Sequence, residues 1–221
     1  MSTPIVKPAY QADAVFQPGR GGVFAAPAGS EPPTLAEMRA YLSSADRSAG
    51  IGEVWAPIGY TSADELPQIG METEGGEKMG VWEDPNFRIS PITTAESVVV
   101  TPVQWSLETI RRRYGAGAKL DGATGQVIKP ATYEPVEEAL MVVYIDGPRF
   151  LANHFWRAAT APEGEVKAET DAFLGAPIKY TPLGMEGKEG MGALLGYHLQ
   201  TADADGDGIP DALDTDPAPA G

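Results

Sequence analysis

The clearest chemistry in the sequence lies near its carboxyl end, in Asp203-Ala204-Asp205-Gly206-Asp207-Gly208-Ile209-Pro210-Asp211-Ala212-Leu213-Asp214. Acidic side chains stand at positions 1, 3, 5, 9 and 12 of this run and glycine at position 6, the spacing of a calcium loop. A tight turn at Gly208 would bring the carboxylates of Asp203, Asp205, Asp207, Asp211 and Asp214 around one Ca2+ and relieve their mutual repulsion. Position 12 is aspartate where an EF-hand has a bidentate glutamate, and Pro217-Ala218-Pro219-Ala220-Gly221 cannot begin a helix. The run resembles thrombospondin type 3 loops more than a helix-loop-helix hand. Calcium binding is favoured over a plain acidic tail.

Elsewhere the side chains that do chemistry are sparse or badly spaced. Gly115-Ala116-Gly117-Ala118-Lys119-Leu120 lacks the third glycine of a dinucleotide fingerprint, and there is no phosphate-cradling Gly-x4-Gly-Lys-Ser/Thr loop. His154 and His198 sit among aromatic or apolar neighbours, where packing or exposure is the commoner role. Neither a nucleophile elbow nor a His-Glu-x-x-His helix is present. Acid pairs such as Glu137-Glu138 carry little information in a chain with 31 acids against 16 Lys plus Arg. With no cysteine there is no thiolate nucleophile, thiolate zinc site or disulfide framework. An enzyme is not expected, and a hydrolase using paired carboxylates would need a pocket that sequence does not reveal.

The formal charge of −15 divides unevenly: residues 201–221 hold six aspartates and no base, leaving −9 for the rest. That balance excludes electrostatic wrapping of nucleic acid, which needs clustered Lys and Arg. The longest apolar run, 140–145, is far short of a membrane span, and the first residues lack the pattern of an export signal. The composition is that of a soluble acidic globular protein, with 26 Gly and 20 Pro pointing to short elements and many turns.

The elements that must position these residues read mainly as strands. Residues 1–33 mix Pro, Gly and Ala around Ala14-Val15-Phe16 and Val23-Phe24-Ala25, an amino-terminal arm with one or two first strands. Thr34-Leu35-Ala36-Glu37 fits a capping box, so a short helix is expected over about 35–44, covering a sheet edge. Val54-Trp55 begins a strand, and residues 70–80 read as an extended, charged, glycine-rich loop or hairpin. Residues 81–83, 87–89 and 96–100 are further strands. Thr101 as N-cap and Pro102 at the first helical position predict a helix over 102–114, burying Val103, Leu107, Ile110 and Tyr114. Arg111, Arg112 and Arg113 at its end suit the helix dipole and read as solvated or intersubunit charges. Residues 116–132 read as loop, and strands are expected at 138–146, 154–158, 165–169 and 177–182. Near-regular strands with one inserted helix indicate a mainly β fold, an antiparallel sandwich or barrel.

Three features in the middle of the chain resemble the major tail (tail tube) proteins of long-tailed actinobacteriophages. The first is Trp55-Ala56-Pro57-Ile58-Gly59-Tyr60-Thr61-Ser62-Ala63-Asp64, with Glu65 where the family usually has glycine. The second is the polar stretch to Trp82 and the strand that runs into Thr101 and a helix ending at Tyr114-Gly115. The third is the strand series 140–146, 155–159 and 166–180, ending at Pro182-Leu183-Gly184. The resemblance covers about residues 10–200 and leaves the carboxyl tail outside, so the chain divides into a tail tube domain (1–200) and an acidic, calcium-loop-like appendage (201–221).

The resemblance implies a structural virion protein of a siphovirus tail, made in the host cytoplasm. It implies a β-sandwich or barrel with one flanking amphipathic helix and long assembly loops. Six copies would form a ring, and stacked rings would form the channel for DNA ejection. The implied partners are the protein itself, tape measure protein, tail terminator and distal tail or baseplate proteins. DNA would pass without specific binding, and no membrane is involved. The alternative is a calcium-dependent β-sandwich binding module, an adhesin or carbohydrate binder, with Trp55, Trp82, Trp105 and Trp156 as stacking platforms.

Overall fold

The computed structural model describes residues 15–46, 48–147 and 149–196. Its main feature is an eight-stranded antiparallel sheet in the order β2-β1-β9-β10-β11-β6-β3, with β12 also paired to β10. The strands are β1 (Arg20–Pro27), β2 (Ala56–Pro57), β3 (Gln68–Glu74), β6 (Thr93–Val100), β9 (Glu137–Asp146), β10 (Arg149–Pro162), β11 (Ile178–Pro182) and β12 (Gly192–Leu195). Two small hairpins stand apart: β4 (Lys78–Val81) with β5 (Asp84–Ile89), and β7 (Lys119–Leu120) with β8 (Val127–Ile128).

The sheet is strongly curled. The segment after β2 pairs back onto the chain beyond β6: Ser62 N–H donates to Thr101 O at 2.9 Å and Val103 N–H to Tyr60 O at 2.8 Å. Because β2 also pairs with β1, these bonds bring the two ends of the sheet together around one interior. Inside lie Val23, Ala25, Ile58, Leu140, Val142, Phe155, Val98, Val100, Ile178 and Tyr180. β9 is buried on both faces, its other alternate set Ala139, Met141, Val143 and Ile145 joining a second core beneath α1 (Leu35–Ser43). This accounts for the near-continuous apolar run of β9, since a strand covered on both faces loses the polar half of the alternation.

α1 starts as the sequence indicates. Thr34 accepts from Glu37 N–H, and Glu37 reaches back to the Thr34 N–H at 2.8 Å, completing the capping box. Met38 and Tyr41 are the buried residues, and Tyr41 meets Phe24 edge to face at 5.4 Å between centroids. The helix therefore covers a sheet face over β1 and β9 and not the expected edge.

The second helix departs further. α2 (Leu107–Tyr114) begins after Ser106, whose hydroxyl caps the Thr109 N–H; Thr101 is not a cap but a buried residue at the barrel closure. The side of α2 that is buried carries Thr109 and Arg113, while Val103, Leu107, Ile110 and Tyr114 are half-buried. A helix of eight residues docked by its arginines needs no apolar stripe. The strand expected at Val23-Phe24-Ala25 is β1, an interior strand with partners on both sides. Residues 70–80, expected as a loop or hairpin, are largely strand, the outer end of β3 and the start of β4. Residues 165–169, expected as a strand, form loop.

Candidate assembly surface

α2 is tied down by its three consecutive arginines, each in a different way. Arg111 pairs with Glu108 at 3.0 Å and donates to Ala118 O. Arg112 forms a fork with Glu138, 2.7 and 3.0 Å, and the Tyr180 hydroxyl donates to the same carboxylate at 3.1 Å. Burial works against the Arg112 charge, but the Glu138 hydrogen bond and charge outweigh it and hold its pKa above the ordinary value. Burial likewise pushes the Tyr180 phenol well up, so the network keeps one charge pair and a neutral hydroxyl. Arg113, 6% exposed, donates to the carbonyls of Glu163, Gly164 and Pro177 and so clasps both ends of the loop 163–177. Arg112 and Arg113 are thus held in internal contacts and not solvated, while Arg111 stays partly exposed.

That loop and residues 62–68 border a groove of about 660 Å³ whose lining includes Asp64, Glu65, Glu163, Glu165, Glu169 and Asp171 around Lys167. Among the described residues no group of three or more His, Cys, Asp or Glu side chains could hold a metal. His154 is 1% exposed, set edge to face against Trp55 and Trp156 with Nε2 at 3.1 Å from Ser30 O. Burial lowers its pKa, as befits a packed neutral ring. Trp55 is core, Trp156 lies beneath Lys188, and the Trp105 indole N–H donates to Leu174 O at 2.8 Å. Of the four tryptophans only Trp82, 98% exposed, stands free, so they make no shared stacking platform. His198 and the aspartates Asp203, Asp205, Asp207, Asp211 and Asp214 lie outside the described residues.

What the surface does contain is an arm. β3 and β6 pair from Gln68↔Val99 out to Glu74↔Thr93, and beyond them the chain continues as the β4-β5 hairpin. The elbow is built on glycine. Gly75 and Gly76 take φ of 87° and 75°, and a Cβ on Gly75 would run into Pro91 O. Ser90 N–H donates to Glu77 O at 2.8 Å and Glu77 N–H to the Ser90 hydroxyl at 3.0 Å, carrying the pairing past the bend. From Met71 outward the ribbon is exposed on both faces, except for Gly76, Ser90 and Glu96, which are half-buried. Met71, Met79, Val81, Trp82, Phe87, Ile89 and Ile92 all point large apolar side chains into solvent, the densest such group among the described residues. The open edge of β3, Gln68–Glu74, lies alongside. Contiguous apolar surface and an unpaired edge mark a site of association. No sequence motif announces it, although the apolar residues interleaved with Gly and Pro over 71–92 carry the signal.

The structure is a curled antiparallel β domain with buried polar ties and an exposed apolar arm. Residues 8–200 match the phage tail tube protein family, and the chain belongs to that family. It is similar to the major tail protein Gp23 of Mycobacterium phage D29, 30% identical over 178 residues covering 79% of this chain and 87% of that protein. The major tail protein Gp23 of Mycobacterium phage L5 is 27% identical over 177 residues, with the same coverage. The protein is thus a structural component of a phage virion tail and not an enzyme, and tail tube proteins assemble with themselves into a tube.

Proposed function

We propose that the protein forms hexameric rings that stack into the tail tube, the channel through which the genome is ejected. The arm carries this reading. Fully burying one large apolar side chain stabilises an interface by about 1.5–3 kcal/mol, so the seven exposed on 71–92 supply an adequate core for a contact between copies. In this reading the β4-β5 hairpin reaches a copy in the same or the next ring, and the free edge of β3 continues the sheet into a neighbour. Tape measure, tail terminator and distal tail or baseplate proteins would meet the tube along its bore and at its ends. Residues 201–221 form an appendage in which Asp203, Asp205, Asp207, Asp211 and Asp214 bind Ca2+.

Negative-stain microscopy and sedimentation of the purified protein test the assembly: tubes with six-fold end views are expected, and a monomer at high concentration that is absent from purified tails would overturn it. Calorimetry tests the loop. Wild type should give binding heat with calcium that Asp205→Ala lacks, and no heat from wild type at millimolar calcium removes the loop.

A further inference from the structure

The β3-β6 ribbon carries a different surface at each of its ends. The arm leaves from the end where Glu74 pairs with Thr93, and the acidic groove opens at the end where Gln68 pairs with Val99, both of which line it. The seven residues of β3 set these ends roughly 20 Å apart, at about 3.3 Å per residue. The arm points away from the groove of its own subunit, so both surfaces stay open in a single copy. The groove wall is firmly built. Arg113 clasps both ends of the loop 163–177, Ala176 N–H donates to Pro102 O at 2.8 Å, and Gly175 lies so close to Thr101 that a Cβ would strike it. On this fixed loop Phe173 stands 86% exposed, and Leu66 is exposed on the 62–68 side.

We propose that this groove is the acceptor for the arm of a second copy, so that the β4-β5 hairpin of one subunit seats at the far end of the β3-β6 ribbon of the next. The inference rests on the tube reading above and names the surface that the arm meets. The two surfaces are complementary in charge and in apolar character. In the hairpin register Lys78 stands opposite Ile89 and Arg88 opposite Met79, so each face of the hairpin sets a cation beside an apolar side chain. Both cations are exposed, and neither forms an ion pair among the described residues. The groove offers the converse, six carboxylates against the single cation Lys167, with Leu66 and Phe173 among them. Glu83 and Asp84 of the arm sit at its tip, beyond both of its cations. An exposed aromatic ring on a preformed wall is the kind of anchor around which an interface core forms. Because donor and acceptor lie at opposite ends of one ribbon, two copies cannot satisfy each other, and the contact passes on from subunit to subunit as a heterologous interface.

The absence of cysteine makes the test direct. Asn86→Cys on the hairpin and Ala172→Cys in the groove are placed in one chain, assembled into tubes and treated with a short bis-maleimide. Ala168→Cys on the same loop replaces Ala172→Cys should that variant fail to fold. Tubes of the double variant should yield a ladder of covalent multimers on a denaturing gel, and its free subunits none. Tubes that give no ladder would overturn the inference, whether the groove then stays empty or holds another tail protein. Charge reversal tests the match without labelling. Lys78→Glu with Arg88→Glu should lose tubes at a concentration where wild type assembles, and adding Glu169→Lys with Asp171→Lys should restore them. Tubes undiminished by the first pair, or not restored by the second, would also overturn the inference. Each of these results leaves the tube standing, whereas a wild type that forms no tubes removes the assembly reading itself.

Discussion

The Arg112 fork to Glu138 concentrates much of the packing between helix and sheet in one ion pair, with both side chains 12% exposed. Removing one partner strands the other, so Glu138→Ala should lose about 3 kcal/mol of stability in urea unfolding, and replacing both by apolar residues should recover part of it. Arg113→Lys should also destabilise the fold, by about 2 kcal/mol, because an ammonium cannot span three carbonyls set for a guanidinium fork. His154 gives a pH effect with a definite sign. Its folded pKa lies below the ordinary value through burial, so the unfolded chain takes the proton first as pH falls. That contribution to stability is present above about pH 6.5 and is lost below it. The urea midpoint of wild type should therefore drop between about pH 7.5 and about pH 5.5 by more than that of His154→Phe, and equal drops would contradict the assignment.

At the scale of the element, the arm contributes little to the fold of the subunit, and the proposed function makes it necessary to assembly. Trp82 and Phe87 touch little in the subunit, 98% and 61% exposed, so Trp82→Ala with Phe87→Ala should shift unfolding by less than about 0.5 kcal/mol. The same pair should abolish tubes in negative stain. Gly75→Ala makes the converse case: with φ of 87° and the Pro91 carbonyl in the way, a Cβ strains the elbow by about 1–3 kcal/mol and should disorder the hairpin in hydrogen exchange. The misplaced start of α2 has a physical source at this scale. Thr101-Pro102 satisfies the rules of a helix start, but the backbone of 101–103 is claimed by 60–62 across the barrel closure, and the helix is delayed to the next capping residue, Ser106.

For the whole molecule, the family match spans residues 8–200, so cutting the chain after Gln200 should leave tubes of normal appearance, and loss of tubes on truncation would assign the appendage to assembly. The β content, β9, β10, β11, the α1 capping box and the absence of catalytic spacing were all legible along the chain, because each rests on neighbours a few residues apart. The fates of the arginines, the tryptophans and the stretch 70–80 were not. Arg112 meets Glu138 from 26 residues away and Arg113 meets Pro177 from 64, and Trp55 and Trp82 differ only in whether the sheet curls over them. By itself the sequence determined that the longest apolar segments extend, where α1 begins and how the charge divides between body and tail, since propensity, capping and charge are local. Only the tertiary structure decided which side chains are spent inside the barrel and which are left on the arm, because that depends on backbone pairings that close over long distances.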